Sequence, residues 1–162
     1  MATTRYAAGT DVPTDRSRTE IEKTLRRYGA TQFLYGWSGN HATVGFTAHG
    51  RNIRFELPLP DPGDREFTLT DTGRQRTDTA AADAYERAVR QRWRALALVV
   101  KAKLEAVECG IATFGDEFLG STVLPGGMTV ADTVREHVTE AYQTGQVPEL
   151  LPDYRRAIES GR

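Results

Sequence analysis

The residues best suited to chemistry are four cations, Arg87, Arg90, Arg94 and Lys101. At about 100° per residue they fall within one narrow sector of a helix. A row of cations on one face makes a track for phosphates. Arg51 and Arg54 are expected to extend that track if their turn and strand lie beside it. The same sector also fits the plain solvated face of an amphipathic helix. Glu105 and Glu108 continue it and can pair with cations one turn away.

Other chemistry is thinner. Glu105, Glu108, Asp116 and Glu117 form the one carboxylate cluster. Hard cations such as Mg²⁺ favour such oxygens, and a metal-dependent nuclease needs them. No Asp/Glu-x-Lys strand motif accompanies the cluster. His41, His49 and His137 show neither His-x-His nor His-x₃-His spacing, so no metal site is expected. Cys109 precedes Gly110 at a helix C-terminus, where the dipole disfavours a thiolate. Ser38 and Ser121 lack a Gly-x-Ser-x-Gly context, and no Lys-Ser/Thr follows Leu124-Pro-Gly-Gly127. The chain therefore reads as non-enzymatic, with no cofactor.

The elements that must position these residues are legible from periodicity. Ser17 with Glu20, or Thr19 with Glu22, can form a capping box. A helix then buries Ile21, Leu25 and Tyr28 and stops at Gly29. Pro13 argues against helix before Ser17. Three strands follow, with Phe33, Tyr35 and Trp37, then Ala42, Val44, Phe46 and Ala48, then Ile53, Phe55 and Leu57 alternating onto one face. Strand aromatics are mostly core. Trp37, beside the Ser38-Gly39-Asn40 turn, is the one expected at the surface, where it can stack on an unpaired base. His41 and His49 should point outward.

Residues 59–80 form a long polar connection in which Phe67–Thr70 suggests a short strand. A long helix over Thr79–Glu108 carries Tyr85, Val89, Trp93, Leu96, Val100, Leu104 and Val107 at alternating spacings of three and four. Its Ala95–Val100 stretch is apolar almost all round, which predicts burial on two sides. One or two helical turns are expected within Ile111–Leu119. Thr129 and Asp132 cap a last helix that runs to about Gln143, with Val130, Val134, Val138 and Ala141 inward. Val147, Leu150 and Leu151 should pin the segment after Gly145 to the body.

The fold class is therefore α+β: an N-terminal helix, a three-stranded antiparallel meander, a long amphipathic helix and a C-terminal helix. Residues 1–16 read as a flexible or extended N-terminus, 17–151 as one domain, and 152–162 as a tail.

The length, 162 residues, fits one domain. Hydrophobic residues at 39% and charged residues at 27% support a packed core. A net charge of −1 excludes a histone-like polycation and an acidic tail protein. The charge is uneven: residues 1–58 carry +3, 81–108 carry +2, and 109–162 carry −4. No apolar run spans a membrane and no signal peptide is evident, so a cytoplasmic protein is expected. One cysteine excludes an internal disulfide.

The stretches VPTDRSRTEIEKTLRRYGATQFLYGW, GRNIRFELPLPD, RQRWRALALVVKAKLEAVECGIATFGDEFL and VLPGGMTVADTV resemble a family of uncharacterised bacteriophage and prophage proteins, over roughly residues 10–151. The resemblance implies phage origin and, loosely, a role in phage DNA metabolism or host takeover. It carries over no functional residues. The αβββα order also resembles double-stranded RNA-binding domains and the core of single-strand annealing proteins. The basic Lys-Lys-x-x-Ala-Lys helix start of the former is absent, and the chain is short for the latter.

These readings lead to a small phage protein that binds DNA or RNA through backbone phosphates. The alternative is a protein-interaction module, either an inhibitor of a host or defence protein or a homo-oligomer. It would use the apolar patch near Leu98 and the acidic C-terminal third. A Mg²⁺-dependent nuclease built on Glu105, Glu108 and Asp116 is the third reading.

Overall fold

The structure, a computed structural model, describes residues 11–150, with side chains from Arg16 onward. The first helix, α1, spans Asp11–Arg27. It begins six residues earlier than Ser17, with Pro13 in its first turn. Proline is tolerated there because the first four N–H groups of a helix have no partner inside it. Residues 11–16 therefore belong to a helix and not to an extended arm. The stop is as expected. Gly29 adopts φ 87°, and the Ala30 N–H returns to the Leu25 carbonyl at 3.0 Å.

The meander consists of β1 (Gln32–Ser38), β2 (His41–Ala48) and β3 (Arg51–Pro58), in the order β1-β2-β3. Phe33 pairs with Phe46, and Phe46 with Ile53, so one face collects the apolar alternate residues. That face carries the core: Ala42, Val44, Phe46, Ala48 and Ile53 are buried. Phe33, Tyr35, Phe55 and Leu57 are half-buried against it. His49 and Gly50 form the second turn, both at positive φ, and His49 rests its ring 4.5 Å from that of Phe114. His41 is exposed.

The long helix, α3, spans Asp78–Glu108 behind a Thr77 cap. It buries Val89, Trp93, Leu96, Ala97, Val100 and Leu104. α1 packs along it and contributes Ile21 and Leu25. Tyr35 touches Trp93 at 5.3 Å, with Arg18 stacked 4.3 Å over Tyr35. Ten residues further along α1, Tyr28 reaches Glu105 and Glu108, so α1 and α3 run in the same sense. The apolar stretch 95–100 is buried on one side only. Leu96, Ala97 and Val100 go inward, whereas Ala95, Leu98 and Val99 face solvent.

The connection between sheet and α3 is folded. Phe67–Thr70 is not a strand: residues Arg65–Thr68 make one helical turn, α2, which packs on α3 and buries Phe67 edge-on to Tyr85 at 5.6 Å. The Tyr85 phenol pKa is raised, by burial first and by the nearby Asp61 carboxylate second. After α3 come α4 (Phe114–Glu117) and a 3₁₀ turn (Leu119–Ser121). Phe114 and Phe118 stack at 4.6 Å and close the core over Phe46 and Phe55. Thr122 and Val123 then run beside β3, where the Val123 N–H meets the Asn52 carbonyl at 2.8 Å.

The last helix, α5, spans Val130–Thr144. Its Thr129–Asp132 capping box and its Gly145 stop at φ 71° are as the sequence predicts. Its inward face is only partly covered. Val130, Val134 and Ala141 are half-buried, Val138 is 42% exposed, and no residue of α5 is fully buried. α5 packs chiefly on the short 119–121 turn, and none of its residues joins the core cluster. Val147 is 81% exposed and Leu150 is also exposed, so neither pins the segment after Gly145. Leu151 and the tail lie outside the described residues.

Candidate nucleic-acid interface

α3 presents its cations because its apolar stripe fixes its rotation. Trp93 and Val100 face the sheet, so residues about 100° away emerge on the flank. Arg87, Arg94 and Lys101 are exposed, and Arg90 is half-buried. Arg87 to Lys101 covers ~21 Å of helix at ~1.5 Å per residue. Arg90 spends part of its charge on Glu86, one turn back, at 3.6 Å. The Arg87 Nε donates to the Asp83 carbonyl at 3.4 Å, which leaves the rest of its guanidinium free. Among the described residues no carboxylate lies within 4.0 Å of the Arg87, Arg94 or Lys101 side-chain nitrogens.

The carboxylates that continue the sector have another partner. The Tyr28 hydroxyl shares its one proton between the Glu108 Oε2 at 2.8 Å and the Glu105 Oε1 at 3.1 Å. These contacts push the phenol pKa up to about 12: the hydrogen bond to Glu108 is the chief cause, followed by burial and Glu105. Glu117 pairs with Lys103 at 3.0 Å, and Asp116 accepts from the Thr113 hydroxyl at 2.7 Å. The carboxylates are thus dispersed over three separate local contacts. Among the described residues no three His, Cys, Asp or Glu side chains converge on a metal position.

Arg54 does not extend the track. In β3 the residues Ile53, Phe55 and Leu57 face the helices, so Arg54 points out of the opposite side of the sheet. There its Nη1 donates to the Gly127 carbonyl at 2.6 Å. Its Nε lies 3.2 Å from Glu56 and its Nη2 3.6 Å from Asp132. Arg54 therefore ties the start of α5 to the sheet. Asp132 is held below the usual carboxylate range, chiefly by the Thr129 hydroxyl. The Thr129 N–H, Arg135 and Arg54 add to this, against an opposing effect of burial.

Arg51 also lies apart. It sits in the second turn with its guanidinium over Gly115 of α4, 3.2 Å from where a Cβ would stand. Pro58, at the other end of β3, accepts from Arg92 at 2.8 Å. Arg51 is therefore at the end of the sheet away from the first half of α3.

Trp37 is 68% exposed, as the turn position predicts. It lies 5.9 Å from Tyr35, which in turn touches Trp93, the neighbour of Arg94. An exposed indole thus stands at the level of the first half of the cationic row.

Two features escaped the sequence reading. Arg18 joins the Trp37–Tyr35–Trp93 stack from α1, a contact between elements that no spacing rule reports. The outer face of the sheet holds an open groove of about 670 Å³, floored by Gly45 and lined by Leu34, Thr43, Thr47, Asn52 and Arg54. Its signal was available: Gly36 and Gly45 both fall on the outward parity, leaving a furrow beside Leu34.

Comparison with known proteins returns nothing: no protein family, no curated protein and no solved structure matches the chain. Among the described residues no helix is long and apolar enough to cross a membrane.

Proposed function

We propose that this chain is a non-enzymatic accessory protein that binds nucleic acid through backbone phosphates, along the flank of α3. One observation carries the reading: Arg87, Arg94 and Lys101 stand in a single exposed row, and among the described residues none of the three has a carboxylate partner. Cations without a carboxylate partner are the ones that exchange water and counterions for phosphates. Arg90 joins them by giving up its 3.6 Å contact with Glu86. Trp37 supplies a stacking surface at one end, which favours single-stranded or unpaired segments. Arg54 and Arg51 have no part in it. Phosphate contacts position the chain and do not read bases, so binding is weakly sequence-specific. The phage resemblance supplies a setting, the cytoplasm of an infected or lysogenic cell.

The test is fluorescence anisotropy with labelled single-stranded DNA, duplex DNA and RNA at about 50 and 200 mM salt, the span over which phosphate binding falls steeply. Replacing Arg87, Arg94 and Lys101 with alanine should weaken binding and flatten the salt slope by about one per lost phosphate contact. Arg54→Ala should leave the slope unchanged. No binding at the lower salt, or binding indifferent to the three substitutions, overturns the reading.

A second reading has its own observation. Leu98 is 59% exposed and Val99 is also exposed, on the side of α3 away from the core. That patch fits a protein partner. Loss of a pulled-down host protein on Leu98→Glu, with no nucleic-acid affinity, would favour it.

A further inference from the structure

The two edges of the sheet differ in how they are protected. Beyond β3 the edge is occupied by Thr122 and Val123, and β3 itself carries Arg51, Arg54, Glu56 and Pro58. β1, Gln-Phe-Leu-Tyr-Gly-Trp-Ser, has no charge and no proline, the usual guards of an open edge. Among the described residues no strand or bridge pairs with its free side.

The register shows which groups are left over. Gly39 and Asn40 make a two-residue turn that closes on the pair Ser38 and His41. Such a turn closes on a hydrogen-bonded pair, and the bonded pairs then alternate. Ser38, Gly36, Leu34 and Gln32 therefore spend their main-chain groups on β2. Phe33, Tyr35 and Trp37 turn their N–H and C=O groups to the open side.

We infer that this edge pairs with β1 of a second copy of the chain, antiparallel about Tyr35, to give a continuous six-stranded sheet. The strand is complementary to itself in that register. Tyr35 meets the second copy's Tyr35, and Phe33 meets its Trp37, so every outward N–H and C=O of the three residues is bonded. The helix-side face becomes a row of aromatic cross-strand pairs. On the other face Leu34, 66% exposed, lands on Gly36, whose missing side chain leaves open space. No charged side chain of β1 faces another. A foreign peptide would satisfy the main chain alone, whereas a second copy satisfies the side chains too. The pairing is isologous and closed, so it ends at a dimer and does not run on into a fibre. It rests on the sheet edge and uses none of the α3 cations; Trp37 is the one residue it shares with the proposed nucleic-acid site, so base stacking and the dimer seam compete for its indole.

Light scattering on the eluting full-length protein, over a dilution series, should give twice the 18.0 kDa chain mass. Leu34→Lys sets two like charges across the seam and should weaken the dimer by at least about tenfold. The residue is exposed, so its circular dichroism should be unchanged. The register is tested in a Cys109→Ser background. An equal mixture of Leu34→Cys and Gly36→Cys chains should form a disulfide-linked dimer on mild oxidation, because the two positions face each other in a non-hydrogen-bonded pair. Leu34→Cys chains alone should cross-link several-fold less. A monomer at every concentration overturns the inference. So does a dimer that resists Leu34→Lys and shows no 34-to-36 cross-link, which would place the contact elsewhere.

Discussion

α3 and α5 are both amphipathic, yet they hold their places by different means. α3 buries six residues, Trp93 among them, between the sheet and α1. α5 buries none, and its anchors are polar: the Thr129 cap, the Arg54 contacts with Gly127 and Asp132, and the 119–121 turn. An apolar stripe guarantees a face and does not guarantee a partner. α3 faces a sheet already lined by Val44, Phe46 and Ile53, whereas Phe114 and Phe118 have closed that surface before α5 arrives in the chain. The first helix is thus an integral part of the core and the second is hung on it.

The largest test of the contrast is truncation on each apolar stripe. Trp93→Ala should cost about 3–5 kcal/mol in denaturant unfolding. Val138→Ala should change stability by less than about 0.5 kcal/mol, as surface substitutions do. A large loss at Val138 would mean that α5 is covered in solution.

Arg54→Ala should come next, at about 1–2 kcal/mol, because it removes the hydrogen bond to the Gly127 carbonyl and one of the cations beside Asp132. Hydrogen exchange should quicken in α5 while α3 keeps its protection. Equal loosening of both helices would erase the distinction.

Thr129→Ala should cost about 1 kcal/mol, by loss of the cap. Acid should act on the same joint. The Asp132 pKa is lowered in the folded chain, so its contribution is present above the unfolded value of about 3.9 and is lost as pH falls through the folded one. Below about pH 4, α5 amides should therefore exchange before those of α3.

The smallest effect concerns Tyr28, on the α3 side of the comparison. A phenol raised to about 12 stabilises fully below its unfolded value of about 10, and that contribution is lost as pH rises through 12. Titrating the phenolate absorbance of the Tyr28→Phe variant against the parent should remove one late-titrating tyrosine.

How much of this was legible varies by element. The Tyr28-Gly29-Ala30 stop and the Thr129–Asp132 box could be read because their physics lies within six residues. Pro13 misled because a rule about helix interiors was applied to a first turn. Phe67 misled because a single buried aromatic in a four-residue turn has no period to read. Arg54 is a different case. The alternation of Ile53, Phe55 and Leu57 already put it on the face opposite the helices, so its exclusion from the row on α3 was available from parity alone. The fate of α5 was not, because it depends on which surfaces remain open after α4 and the following turn have packed.

The Tyr28 bridge to Glu105 and Glu108 spans 77 and 80 residues of chain. During synthesis α1 and the whole meander emerge well before the helix that covers them. Between the appearance of Pro58 and that of Glu108 the ribosome needs about 3–10 s, at about 5–20 residues per second. For that interval Val44, Phe46 and Ile53 have no lid, and a hairpin that forms in microseconds waits on a partner that arrives in seconds. The nascent chain is most vulnerable to wrong partners here, and the unguarded β1 edge is exposed throughout.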